Sequence, residues 1–165
     1  MGKSIKETKL HDFCYKQILK RQINPFFTMK RSATAVWLGS GKAGQGTLST
    51  QSEVLTETPY SYKTRFEDVK GTNPEELVAA AHAGCFTMKL AFNIDAAGFE
   101  AEKLETTCNI ELKDGAITNS FLTVHAKIPG IPKTKLDELV TDAEKNCPIS
   151  KLLNTNISVD AHLEN

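Results

Sequence analysis

Four cysteines, Cys14, Cys85, Cys108 and Cys147, are the residues of this sequence best suited to do chemistry. They are widely spread, without the close pairing of a disulfide-stapled secreted scaffold or a zinc knuckle, and so read as thiols at rest. Cys85 falls inside a helical, apolar stretch, where the ordinary role of a cysteine is that of a small core hydrophobe. Cys147 stands differently, because it precedes Pro148 and opens a short helix whose free N–H groups can stabilise a thiolate. Two thiols so differently placed suggest an attacking and a resolving cysteine, with a partly buried turn cysteine as the plain alternative at Cys147. His82, three residues before Cys85, shares its face of a regular helix and can accept the thiol proton or simply bond a backbone carbonyl. A zinc site built from Cys85, Cys108, Cys147 and His82 lacks the usual closely spaced ligand pairs. No G-x-S-x-G elbow is present, and no serine stands out as a nucleophile.

The elements that must position these residues can be read from pattern. Alternation in SATAVWLG, a glycine-rich GSGKAGQG and a second extended run, TLSTQS, predict a β-hairpin. Its tip is no phosphate loop, since it lacks the GK[ST] ending and leads into a strand. A further extended piece is expected at about Ser61 to Glu67, carrying Arg65. Asn73 or Thr72 as cap, Pro74 in the first turn and Glu75 and Glu76 at the positive end of the dipole predict a long helix from Pro74 to about Ala97, closed by Gly98. That helix is apolar on nearly every face and is expected to be largely buried. Two alternating runs flank Asp114-Gly115, a strong hairpin signal, with Cys108 in the first of them. A helix after Pro132 follows, built on Leu136, Leu139, Val140 and Ala143, then the short helix after Cys147, then a last strand, ISVDAHL. Hairpins without βαβ alternation predict an α+β fold with antiparallel sheet.

With 165 residues, the chain is long enough for one real core and too short for two full-sized domains. Its 20 Lys and Arg balance 20 Asp and Glu, so there is no basic field to attract nucleic acid. No apolar run approaches the roughly 18 to 20 residues needed to span a bilayer, and no signal peptide opens the chain, which makes a cytoplasmic address the default. Residues 1–28 carry six Lys or Arg against two acids and read as a basic appendage with a weakly amphipathic helix around His11 to Arg21. The ordered pattern begins near Lys30 and occupies 30–165 as one domain.

The run TRFEDVKGTNPEELVAAAHAGCFTMKL, followed by NCPISKLLNTNISVDAHL, resembles the two signature regions of the OsmC/Ohr family of osmotically inducible and organic hydroperoxide resistance proteins. The earlier GQGTLSTQSEVL is similar to the OsmC branch, as is the placement of Arg65 just ahead of the long helix. The resemblance extends from about Lys30 to the end. It implies antiparallel sheets wrapped around a long buried central helix, in an intertwined homodimer with its sites at the subunit boundary. It also implies reduction of organic hydroperoxides to alcohols without metal, haem or flavin, at the expense of an external dithiol such as a lipoyl group. Cys85 in HAGCF is then the peroxidatic cysteine, Cys147 in NCPIS the resolving one, Arg65 the active-site arginine and Glu75 its carboxylate partner, with Glu76 a solvated first-turn acid. In that chemistry the guanidinium offsets the burial of the Cys85 thiol and stabilises the departing alkoxide. The rival readings are a non-enzymatic protein that holds a lipid-like ligand in the same apolar cleft and a thiol-based redox sensor.

Helix geometry adds one constraint. Glu75 and Cys85 are ten residues apart, roughly 15 Å along a regular helix and about 80° around it. One arginine cannot readily serve both. Either the helix bends after Pro74, or Arg65 or Glu75 reaches Cys85 from another subunit.

Overall fold

The computed structural model describes residues 28–67 and 69–164. The helix expected at His11 to Arg21, and Cys14 within it, lie outside the described residues. Strands β1 (Ala33–Leu38), β2 (Gln45–Thr50) and β3 (Thr58–Ser61) form one antiparallel sheet in chain order. Its glycines are there for close approach: a Cβ on Gly46 would stand 2.4 Å from both the Tyr60 ring and the Val36 carbonyl oxygen. Gly46 pairs with Trp37 on one side and Tyr60 on the other, and the two rings meet across it at 5.3 Å.

The extended piece expected at Ser61 to Glu67 is instead a one-turn helix, α1 (Tyr62–Phe66). A reciprocal capping box closes it. The Thr64 N–H donates to Ser61 Oγ at 3.2 Å, and the Ser61 N–H donates to Thr64 Oγ1 at 2.8 Å. This turn swings Arg65 toward the start of the next helix.

Helix α2 (Pro74–Ala96) is continuous over 23 residues. Asn73 caps it by accepting from the Glu76 N–H at 2.8 Å, Pro74 occupies the first turn, and Gly98 follows its end with φ +82°. Only one stripe, His82, Phe86, Leu90 and Ile94, is fully buried within the chain. Met88 and Phe92 on another face are more than half exposed, so the expected all-round burial is not reached by one chain alone. By length and composition α2 does reach what a membrane span needs, contrary to the sequence expectation, although its buried stripe is taken up by the protein core.

Strands β4 (Lys103–Lys113) and β5 (Ala116–Lys127) make the expected hairpin, turned by Asp114 and Gly115, both at positive φ. Helices α3 (Lys133–Asn146) and α4 (Pro148–Leu152) follow and lead to β6 (Asn156–Glu164). Here the expectation of a wholly antiparallel fold is corrected, because β6 pairs parallel to β5. A strand returning in the same direction needs a crossover of a dozen or more residues, and α3 with α4 supplies it. The core lies between this second sheet and the helices: Phe86, Leu90 and Ile94 of α2, Leu122, Val124 and Ala126 of β5, and Leu136, Val140 and Ala143 of α3. Asn93 ties α2 to α3 by donating to the Leu139 carbonyl at 3.0 Å.

Candidate active site

Cys85 sits midway along α2, half-buried, and Cys147 stands at the junction of α3 and α4 with no exposed surface. The Cys147 N–H closes α3 by donating to the Ala143 carbonyl at 2.8 Å, and Pro148 immediately starts α4. Its extended backbone, φ −62° and ψ 125°, breaks the two helices apart and turns the side chain inward. Packing of α4 against α2 then brings the two thiols together, each influencing the protonation of the other. Both are free thiols.

Their environments push them in opposite directions. Burial raises Cys85, its neighbour Cys147 raises it further, and the Ile149 N–H opposes only in part. Burial also works against ionisation of Cys147, but the Ser150 N–H, the Cys85 thiol, the Ser150 hydroxyl and the Ile149 N–H together outweigh it, and Cys147 lies below the ordinary cysteine range. No regular cap hydrogen bond reaches the Cys147 sulfur; these groups act on it as nearby dipoles.

Arg65 and Glu75 form the second half of the constellation. Arg65 Nε donates to Glu75 Oε1 at 2.9 Å and to Oε2 at 3.0 Å, while a terminal guanidinium nitrogen reaches Oε1 at 2.5 Å. The Arg65 guanidinium also lies 5.1 Å from the centre of the Phe66 ring. Burial disfavours the Glu75 carboxylate, but the hydrogen bond and charge of Arg65, together with the residue's own N–H, lower its pKa overall. Glu76 faces solvent, as expected of a first-turn acid. A pocket of about 460 Å³ opens beside the pair, lined by Arg65, Phe66, Asn73, Glu75, Ile110 and Leu112.

The two halves do not meet within one chain. Helix α2 runs unbroken from Pro74 to Ala96, with no interruption between Glu75 and Cys85. Arg65 is engaged with Glu75 at the start of that helix, and Cys85 is ten residues further on, roughly 15 Å along its axis. Arg65 is absent from the groups that set the Cys85 protonation.

His82 is placed neither against a backbone carbonyl nor free to take a thiol proton. It is fully buried, with Nδ1 2.8 Å from Ser120 Oγ and Nε2 2.9 Å from Ser150 Oγ, and burial lowers its pKa so that the ring is neutral at physiological pH. Sequence reasoning missed both serines. Ser150 had a legible signal, three residues after Cys147 in the first turn of a helix, whereas Ser120 is simply an inward position on an alternating strand. Cys108 completes the row, its sulfur 3.3 Å from Ser120 Oγ and 4.0 Å from His82 Nδ1. Among the described residues no three His, Cys, Asp or Glu side chains gather as metal ligands, those considered above for zinc included.

Comparison with known proteins gives this arrangement a lineage. The family described as OsmC-like protein matches residues 67–162. Peroxiredoxin OsmC of Escherichia coli (strain K12) is 40% identical over 141 residues, which are 83% of this chain and 99% of that protein. Among solved structures, the organic hydroperoxide resistance protein OhrB of Bacillus subtilis superimposes with a TM-score of 0.60 at 26% identity, covering 82% of this chain and 98% of that one. An organic hydroperoxide resistance protein from Elizabethkingia anophelis does so with a TM-score of 0.61 at 25% identity, over 85% and 99%. On the family match and on a relative matched over nearly its whole length, the chain belongs to the OsmC family.

Proposed function

We propose that the protein is a cysteine-based peroxidase that reduces organic hydroperoxides to alcohols. The observation that carries this reading is the meeting of Cys85 and Cys147, thiols from distant parts of the sequence, beside the core of one chain. Names among the relatives, a peroxiredoxin and hydroperoxide resistance proteins, support the substrate class.

Access supports a division of roles. Cys147 is the more acidic thiol but has no exposed surface, whereas Cys85 can be reached, so Cys85 attacks. Its thiolate bonds to the distal oxygen of the peroxide, the O–O bond breaks, and the alkoxide leaves and takes a proton as alcohol. The resulting sulfenate condenses with Cys147, releasing water and forming a disulfide. An external dithiol of lipoyl type returns both thiols by exchange.

Ionising Cys85 calls for a cation, because burial and Cys147 both raise its pKa, and among the described residues no cation of its own chain is one of the groups acting on it. We therefore infer a homodimer in which the Arg65 and Glu75 pair of one copy approaches Cys85 of the other, completing the site. The exposed Met88 and Phe92 on α2, and Val36 and Leu38 on the first sheet, support a second copy as their cover. Arg65 then offsets the burial of Cys85 and stabilises the departing alkoxide, with Glu75 orienting the guanidinium.

The test is a peroxidase assay comparing cumene hydroperoxide, tert-butyl hydroperoxide and hydrogen peroxide, each with several dithiols. Turnover of the two organic peroxides well above that of hydrogen peroxide is expected. Slow, stoichiometric oxidation with every dithiol would favour a redox sensor, and no reaction at all would favour a binding protein.

A further inference from the structure

His82 is the buried titratable group that the chemistry above leaves without a task. Its ring nitrogens are held at 2.8 and 2.9 Å by two hydroxyls, Ser120 and Ser150, and all three residues are buried. No carboxylate or cation enters its titration, and the Cys108 thiol lies 4.0 Å from Nδ1. Ser150 occupies the third position of α4 and Cys147 is that helix's cap, the cap and third-residue positions of a capping box, although no hydrogen bond joins their side chains in the resting structure.

A neutral imidazole has one donor and one acceptor, so the row has only two consistent directions. In the first, Ser120 O–H donates to Nδ1, Nε2–H donates to Ser150 Oγ, and the Ser150 hydroxyl proton is left free to point at the Cys147 sulfur. Cys108 S–H then donates to Ser120 across 3.3 Å, and every donor has an acceptor. In the second, Ser150 spends its proton on Nε2 and can only accept from a Cys147 thiol. A Cys147 thiolate, cut off from water, gains a hydroxyl donor beside the Ser150 and Ile149 N–H groups only in the first direction.

We propose that His82 is a positioning residue for disulfide formation, its Nε2–H holding the Ser150 hydroxyl as a donor to the Cys147 thiolate. This rests on the reading of Cys147 as the resolving thiol. The step is balanced: Cys147 gives up its proton, the Cys85 sulfenate takes one up to become the sulfenic acid, the Cys147 thiolate bonds to its sulfur, the S–O bond breaks, and the departing hydroxide takes up a second proton from solvent as water. His82 gains and loses no proton. The lowered Cys147 pKa, to which the Ser150 hydroxyl contributes, agrees with that direction.

The experiment follows one turnover by stopped flow in wild type, Ser150→Ala and His82→Phe, separating sulfenate formation from disulfide formation across pH. Cys147 is titrated by alkylation in a Cys85→Ser background. Both variants should form the sulfenate at the wild-type rate and close the disulfide about tenfold more slowly at neutral pH, the size of one hydrogen bond to a charged group. The Cys147 titration should move up with them, and the rates should converge above it. Slowing by the same factor at every pH would mean a purely structural role and would overturn the proposal, as would an unchanged Cys147 titration in Ser150→Ala. Should His82→Phe not fold, Ser150→Ala alone carries the same comparison. If the wild type itself turns over without a Cys85–Cys147 disulfide, it is the reading of Cys147 that fails, and this inference with it.

Discussion

A peroxide arriving from solvent can meet Cys85, half-buried on α2, but not Cys147, which has no exposed surface despite being the more acidic of the two. If access decides, Cys85→Ser abolishes peroxide consumption, whereas Cys147→Ser still makes one attack and leaves a sulfenate that a sulfenic-acid probe can trap. Equal first-turnover rates in Cys85→Ser and wild type would overturn the assignment. The pairing of His82 with its two hydroxyls is not legible in the sequence, because they come from positions 38 and 68 residues away; Ser150 shows only a cap-like spacing to Cys147, and Ser120 carries no pattern of its own. Cys85 and Cys147 stand out in the sequence by their different placement, whereas which of them attacks, and the roles of Arg65 and Glu75, come only through family resemblance. His82 also makes stability depend on pH. Its folded pKa is lowered, so below the unfolded value of about 6.5 the unfolded state binds more protons and the folded state loses ground as pH falls. Urea unfolding of wild type should therefore weaken on going from pH 7.5 to 5.5, with a smaller loss in His82→Phe; an equal loss in both would refute that role.

Local chemistry made some elements easy to read and others not. Asn73, Pro74 and Gly98 punctuate α2 so clearly that its observed bounds lie within a residue of those expected. By contrast, α1 was taken for strand because its run of Tyr, Thr and Phe favours extended backbone, while its capping box uses Thr64 where Glu or Gln is the familiar third residue. The parallel pairing of β6 was hidden for another reason. Spacing reveals that two helices lie between β5 and β6, but not the direction in which the last strand returns beside its partner. The glycine-rich tip, correctly read as a hairpin, also has a steric role that pattern does not show. Gly46→Ala should destabilise the protein by about 1–3 kcal/mol, since its methyl meets a backbone carbonyl as well as the Tyr60 ring. Thermal unfolding measures this, and an unchanged midpoint would show that β1 and β3 can move apart freely.

At the scale of the whole molecule, Glu75, which holds Arg65, and Cys85, which meets Cys147, stand ten residues apart on one continuous helix, so the two pairs lie roughly 15 Å from each other along its axis. Co-expression of Cys85→Ser with Arg65→Ala should then give active heterodimers, because one of the two composite sites keeps both residues. Verified heterodimers without activity would exclude Arg65 as the residue that crosses. The sequence anticipated this division from helix geometry alone, yet could not show that so much of β1 to β3 and one face of α2 would lie open in a single copy. The two thiols also bracket most of the second sheet, standing 62 residues apart with the latter half of α2, both hairpin strands and α3 between them. Joining them turns an open chain into a loop, and a loop of that length removes about 4 kcal/mol of freedom from the unfolded state. Oxidised protein should accordingly unfold at higher urea than reduced protein, so that each turnover alternately fastens and releases the topology of the chain, and the dithiol that reopens it works against the fold as well as against the bond.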